Sequence, residues 1–359
     1  MALDRLREWM GSASAGAACL TDPVSIAYLT GFATNPHERL MALVLRDGDA
    51  VLVVPGLEEE SAAAAARGVS VRAWRDGDDP WALVAAALGD GSPGRLAVEK
   101  GHLSLERWER LRGLAGGAEP IDAGAELRRL RARKTPGEIE RLEQAARLTD
   151  EVTERAMAEI RPGRTELEVA AAIDHLVATA GARLSFATIV QSGPNSAQPH
   201  LGPGDRTLRT GDLVLLDFGA ASGGYKADTT RTVVIGEPDA RQREVHALVL
   251  AAHDAAVATV RPGVTVGEVD EAARAVIRAG GLGDRFIHRV GHGLGLEAHE
   301  DPSLDPGGRA ALEPGMAITI EPGVYLPGWG GVRIEDDVLV EAAGGRQLTR
   351  ADRTLRSVG

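Results

Sequence analysis

Five side chains in the second half of the chain have the types and spacing to hold metal ions. "LVLLDFGA" (213–220) is an apolar run that ends in Asp217, and Asp228 follows in "YKADTTRTVV" (225–234). Glu321 lies in "PGMAITIEPG" (314–323) and Glu335 in "GVRIEDDVLV" (331–340). A buried, unpaired carboxylate costs several kcal/mol or gives up its charge. Four carboxylates converging in one site would raise each other's pKa, and divalent cations resolve that conflict. "HRVGHGLGLEAHEDP" (288–302) offers an imidazole, His292, between Gly291 and Gly293, where little side-chain bulk would obstruct an ion. Four carboxylates and one imidazole suit hard to borderline ions, Mn²⁺ foremost, with Co²⁺ and Zn²⁺ as alternatives, better than a Cys-rich structural zinc site would. Bridging carboxylates allow two ions ~3.5–4 Å apart, a centre that polarises a carbonyl and acidifies bound water.

The elements that position these acids are duplicated. "RPGRTELEVAAAIDHLVATAGA" (161–182) and "RPGVTVGEVDEAARAVIRAGGL" (261–282) share Arg, Pro, Gly, Thr, Glu and Val at an offset of 100. Downstream, 210–219 aligns with 314–323 and, with a slip of one residue, 225–234 with 331–340, so each half reads helix, helix, strand, strand. Asp217 then corresponds to Glu321, and Asp228 to Glu335. Two repeats related by a pseudo-twofold axis would bring the four acids together.

Before the repeats, residues 1–125 read as a mixed α/β domain and 126–359 as the domain that carries the acids. "MALVLRDGDAVLVVPG" (41–56) is a hairpin about Asp47-Gly48, "LEEESAAAAARG" a helix ending at Gly68, and "GRLAVEKG" a short strand. Thr135, Pro136 and Glu138 start a long helix. The basic run Arg128 to Lys134 before it is expected to be a solvated face.

The bulk composition narrows the classes. The 359 residues are 44% apolar and carry a formal net charge of −12, which opposes a nucleic-acid surface. A single cysteine, Cys19, rules out an intrachain disulfide and is expected to be a small buried apolar residue. No apolar run reaches the ~18 residues of a membrane span, and the charged start is unlike a secretory signal, so a soluble cytoplasmic protein is expected.

From about residue 134 to 350 the chain resembles the pita-bread metallopeptidases, the family of methionine aminopeptidase, Xaa-Pro aminopeptidase and prolidase. The family's five ligands stand here as Asp217 in "LDFGA", Asp228 in "ADTTRT", His292 in "GHGLG", Glu321 in "IEPGVY" and Glu335 in "RIEDD". Further motifs match the proline-specific branch: His200 in "QPH", His288 in "HRVGH", His299 in "EAHE", Arg333 in "GVRIED" and Tyr325 in "PGVYLPG". The resemblance implies a creatinase-like N-terminal α/β domain followed by a pseudo-twofold α+β catalytic domain. It implies that His200 and His299 hold the scissile region of the substrate, with His299 able to shuttle a proton. It gives Glu321 the role of proton acceptor as well as ligand. Arg333 would orient a ligating carboxylate or bind the substrate's C-terminal carboxylate. "YLTGF" and "NPHER" resemble the N-terminal domain of short prolidases, where His37, Glu38 and Arg39 could read substrate ends in this subunit or a partner. His246 and His253, on an expected helix, are left as structural.

The implied activity is two-metal hydrolysis of the X–Pro bond in short peptides. The substrates would be proline-containing peptides, foremost dipeptides (an Xaa-Pro dipeptidase), and the protein a homodimer. An Xaa-Pro aminopeptidase acting on longer peptides and a metal-dependent small-amide hydrolase on the same fold are the alternatives. A non-catalytic binding protein of this fold would be expected to have broken ligands, and none is broken. Other hydrolase signatures are missing: "HEDPS" lacks the second His of HExxH, and there is no GxSxG elbow.

Overall fold

The computed structural model describes residues 2 to 359, which divide into two compact units, one reaching to Arg131 and the other Ala132–Gly359. In the first unit a six-stranded sheet runs in the order Ser70–Trp74, Asp49–Pro55, Ala42–Arg46, Ala17–Leu20, Arg95–Val98, Glu119–Asp122. Ala42–Arg46 is antiparallel to both its neighbours, and the outer pairs are parallel. The expected hairpin closes on Asp47 (φ 52°) and Gly48 (φ 89°), the two left-handed residues that a two-residue type I′ turn requires.

Alternation along the strands feeds two separate cores. Leu20, Leu43, Leu45 and Leu52 pack with Leu3, Leu6 and Ile26, while Cys19, Val44 and Val53 pack with Trp81, Val84 and Leu88. Cys19 is buried, as expected, and burial pushes its thiol up to about 12. The helix Gly124–Ala132 buries Leu127 in the first of these cores. The helix expected to run to Gly68 is Glu59–Ala65; it stops because Ala66 turns extended and Arg67 N–H donates to Thr30.

The second unit carries the duplication. Helices Pro136–Ala156 and Glu166–Thr179 precede the antiparallel strands Ile189–Ser192, Leu213–Phe218 and Thr229–Ile235. Helices Ala240–Thr259 and Val266–Ala279 precede His292–Gly293, Ala317–Ile320 and Asp336–Glu341, again antiparallel. Each of the four helices opens on a capping box: Thr135 with Glu138, Thr165 with Glu168, Asp239 with Gln242, Thr265 with Glu268. Two of these boxes therefore recur at the offset of 100 that the sequence shows. A bridge between Thr230 and Glu335 joins the two strand sets.

The basic run is not a solvated face throughout. Arg131 and Lys134 are buried, and the Lys134 ammonium lies 3.2 Å from the Glu300 carboxylate. The heptad-free, alternating basic pattern concealed that one of its cations has an acidic partner 166 residues away. His246 and His253 are buried on Ala240–Thr259, and His253 Nε2 lies 3.2 Å from Asp336. No helix among the described residues is long and apolar enough to cross a membrane.

Candidate metal centre

The strand pairing delivers the acids. Asp217 lies on Leu213–Phe218 opposite Thr230, and Asp228 immediately precedes Thr229–Ile235. Glu321 immediately follows Ala317–Ile320, and Glu335 immediately precedes Asp336–Glu341. These four acids and His292 line one cleft, a cavity of about 910 Å³. Asp228, His292 and Glu335 each offer a ligand atom, and the three atoms lie within 4.8 Å of one another. His292 Nε2 is 3.3 Å from Glu321 and 3.9 Å from Asp228.

The electrostatics fit a cation. Asp217, Asp228, Glu335 and His292 are all buried, and Asp217 Oδ1 and Asp228 Oδ1 have no hydrogen-bond partner among the described residues. Burial first, then the neighbouring carboxylates, pushes the carboxyls of Asp228 and Glu335 well above the usual range. Burial holds His292 neutral, its imidazolium pKa brought down to about 4. Its Nδ1 lies 3.0 Å from the Gly293 carbonyl, a contact only an N–H can make, which leaves the Nε2 lone pair facing two carboxylates. Lone pairs gathered this closely, with buried oxygens unpartnered, are a donor set for a divalent ion.

The glycines beside His292 have a different reason from the one expected. A Cβ on Gly291 would stand 2.0 Å from the Thr319 carbonyl oxygen, and one on Gly293 would stand 2.2 Å from that of Asp301. They are there because neighbouring backbone passes against both faces of this segment, rather than to clear space for an ion.

Arg333 is buried, lines the cleft and bonds three groups of the protein. Its guanidinium bonds Asp217 Oδ2 at 2.5 Å through Nη2, the Thr230 hydroxyl at 3.0 Å through Nε, and the Tyr325 hydroxyl at 3.0 Å through Nη1. Burial would lower its pKa, but the surrounding acidic groups reverse that and raise it. Asp217, which Arg333 bonds, is one of the carboxylates expected to hold an ion. The chain of contacts continues from Tyr325 to His288 Nε2 at 2.8 Å, and His288 Nδ1 donates to the Arg289 carbonyl at 2.7 Å. Both nitrogens of His288 thus have internal partners, although its ring lines the cleft. Burial pushes the Tyr325 hydroxyl up to about 12, so it remains a donor.

His200 and His299 also line the cleft, and both are exposed. The His299 ring centroid lies 4.1 Å from that of His292, and burial lowers its pKa. Arg39 belongs to the N-terminal unit, where Asp76 holds its guanidinium through Nε at 3.2 Å and Nη2 at 3.1 Å, and Glu38 lies 3.1 Å away. Several participants were not anticipated. The Thr230 hydroxyl donates to Glu335 at 2.6 Å, and the Thr319 hydroxyl lies 3.3 Å from Glu321. Phe186, Ile189, Lys226, Phe286, Ile287 and Arg289 line the cleft. Thr230 was within reach of sequence reasoning, since it sits two residues past Asp228 in "ADTTRT"; the cleft-lining residues come from separate segments of the chain and match no motif.

Comparison with known proteins agrees with this geometry. Residues 140–342 match the model of metallopeptidase family M24, and residues 3–133 match the creatinase/prolidase N-terminal domain. An Xaa-Pro dipeptidase from Lactobacillus helveticus is 38% identical over 364 residues, covering 100% of this chain and 99% of that protein. The crystal structure of the prolidase from Pyrococcus horikoshii superposes with a TM-score of 0.92 at 34% identity, covering 99% of each chain. An X-Pro aminopeptidase from Thermotoga maritima superposes with a TM-score of 0.90 at 32% identity, covering 99% of this chain and 100% of that one.

Proposed function

The chain belongs to metallopeptidase family M24, with a creatinase/prolidase N-terminal domain ahead of a pita-bread catalytic domain, and on that premise we propose that it is an Xaa-Pro dipeptidase. The observation that carries the proposal is the set Asp217, Asp228, His292, Glu321 and Glu335 lining one cleft, all buried but the half-buried Glu321, with unpartnered oxygens on Asp217 and Asp228. Relatives named Xaa-Pro dipeptidase and prolidase along the full length support the substrate class.

Those five residues would hold two divalent ions, which supply polarisation of the scissile carbonyl and a more acidic bound water. We assign Mn²⁺ first, because carboxylate-rich sites favour it, with Co²⁺ and Zn²⁺ as alternatives. The X–Pro amide has a tertiary nitrogen and a conformationally restricted preceding residue, so the peptide must be held in a fixed pose. Glu321 accepts the proton as the nucleophile attacks. His200 and His299, facing the cleft, hold the carbonyl as charge develops on its oxygen. His299 can take up that proton and pass it toward the departing proline nitrogen. Arg333 holds Asp217 in place through its Nη2. The homodimeric state and the cytoplasmic location belong to the same proposal and are carried by the family alone.

The test is hydrolysis of Ala-Pro, Ala-Pro-Ala and Ala-Ala by protein stripped with a chelator and reloaded with Mn²⁺, Co²⁺ or Zn²⁺. Cleavage of Ala-Pro alone establishes a dipeptidase. Cleavage of Ala-Pro-Ala as well moves the assignment to an Xaa-Pro aminopeptidase, the activity named for the Thermotoga maritima structure. Inactivity on all three with every ion refutes the peptidase reading.

A further inference from the structure

His200 enters the cleft on a loop, with no side-chain hydrogen bond of its own among the described residues, so the backbone beneath it must set its position. That backbone is a turn. Leu201 N–H donates to the Gln198 carbonyl at 3.0 Å, closing Gln198-Pro199-His200-Leu201 with proline in the second place and His200 in the third. Beyond it the sequence runs Gly202-Pro203-Gly204, and the next anchor is the Gly204 N–H on Glu166 at 3.2 Å.

Gln191 spans the base of this turn. It lies on the strand Ile189–Ser192 opposite Leu215 and is fully buried. Its Nε2 donates to the Gln198 carbonyl at 2.6 Å and to the Leu201 carbonyl at 2.8 Å. Both neighbours are acceptors, so only the NH₂ end of the amide can face them. Its Oε1 is buried with no partner among the described residues. An apolar side chain here would avoid that unmet acceptor. The position therefore bears a cost for two donors that do one thing, fixing the first and last carbonyls of the turn that presents His200.

We infer that Gln191 is a positioning residue for His200, fixing the imidazole against the scissile carbonyl while touching no substrate itself. The inference rests on the peptidase reading above. Its test is a double-mutant cycle of Gln191→Met, which keeps the length and removes the donors, with His200→Ala. Gln191→Met should lower kcat on Ala-Pro about tenfold while KM moves less than about twofold, because the interaction strengthens only as charge develops. In the His200→Ala background the same substitution should change kcat less than about twofold, as for two residues acting as a unit. An equal loss in both backgrounds, or unchanged kcat with only a lower melting temperature, overturns the inference. Should Gln191→Met fail to fold, Gln191→Asn keeps an amide one methylene shorter and goes through the same cycle.

NMR of protein labelled with ¹³C-histidine separates this inference from the activity on which it rests. The His200 ring resonance, assigned by its loss in His200→Ala, should shift or broaden in Gln191→Met while the His246 and His253 resonances stay in place. A wild type that cleaves no peptide refutes the peptidase reading, and the resonance then decides the clamp; an unmoved His200 signal refutes it.

Discussion

Arg333→Lys separates the two roles open to this arginine. Lysine keeps the positive charge beside Asp217 but cannot reproduce a planar fork reaching three partners. It would forfeit the contacts to Thr230 and Tyr325, each 3.0 Å in the structure. At about 1 kcal/mol for each hydrogen bond, the loss is about 2 kcal/mol, or about 30-fold in kcat/KM. The assay is hydrolysis of Ala-Pro beside Ala-Pro-amide by the Mn²⁺-loaded enzyme. If Arg333 acts only by holding Asp217, both substrates slow by the same factor and their ratio is unchanged. If Arg333 binds the substrate's C-terminal carboxylate, the variant loses its preference for the free acid and the ratio falls toward one. A collapsed ratio would falsify the argument that the guanidinium acts by holding Asp217.

Two further outcomes are expected. Glu321→Ala should depress kcat by orders of magnitude more than it raises KM, measured on Ala-Pro at saturating Mn²⁺; a variant that loses only affinity contradicts the proton-acceptor role. Burial pushes the Glu99 carboxyl from 4.5 up to about 7, so the unfolded chain releases this proton first and stability should fall by about 3 kcal/mol as pH rises from about 4.5 to about 7, then level off. Glu99→Gln keeps an acceptor for the Thr21 and Asp22 N–H groups and should flatten that slope in urea unfolding, whereas a slope that persists unchanged assigns it to other groups.

The acids that line the cleft were legible in the sequence because duplication carries information that a single acid does not. One Asp at a strand end is unremarkable; two acids recurring at matched places in a second helix-helix-strand-strand unit require a common reason. The capping boxes were legible for a local cause, since Thr and Glu three residues apart satisfy each other within one turn. What could not be read depends on partners distant along the chain. Lys134 looked like one of several basic side chains until Glu300 was placed against it. Gly291 and Gly293 looked like clearance for an ion until the carbonyls of Thr319 and Asp301 were placed against them. Gln191 carries no motif, and its purpose lies in two carbonyls of a turn that sequence alone does not locate.

The duplication also explains why two equivalent acids can do different work. Asp217 and Glu321 occupy matched positions in the two repeats, yet their surroundings are unlike. Asp217 Oδ2 is taken by Arg333 at 2.5 Å. Glu321 Oε1 instead faces the His292 imidazole at 3.3 Å and the Thr319 hydroxyl at 3.3 Å, and no guanidinium bonds it. The Asp217 oxygen is committed to a fixed guanidinium, whereas the Glu321 carboxylate has no such tie. Arg333 lies two residues before Glu335, and its counterpart in the aligned repeat is Lys226, which lines the cleft and makes no ion pair among those formed by the described residues. One repeat therefore turns its cation inward onto an acid of the other repeat, and the other repeat's cation lines the cleft. That asymmetry, built on a symmetric frame, supports Glu321 rather than Asp217 as the proton acceptor.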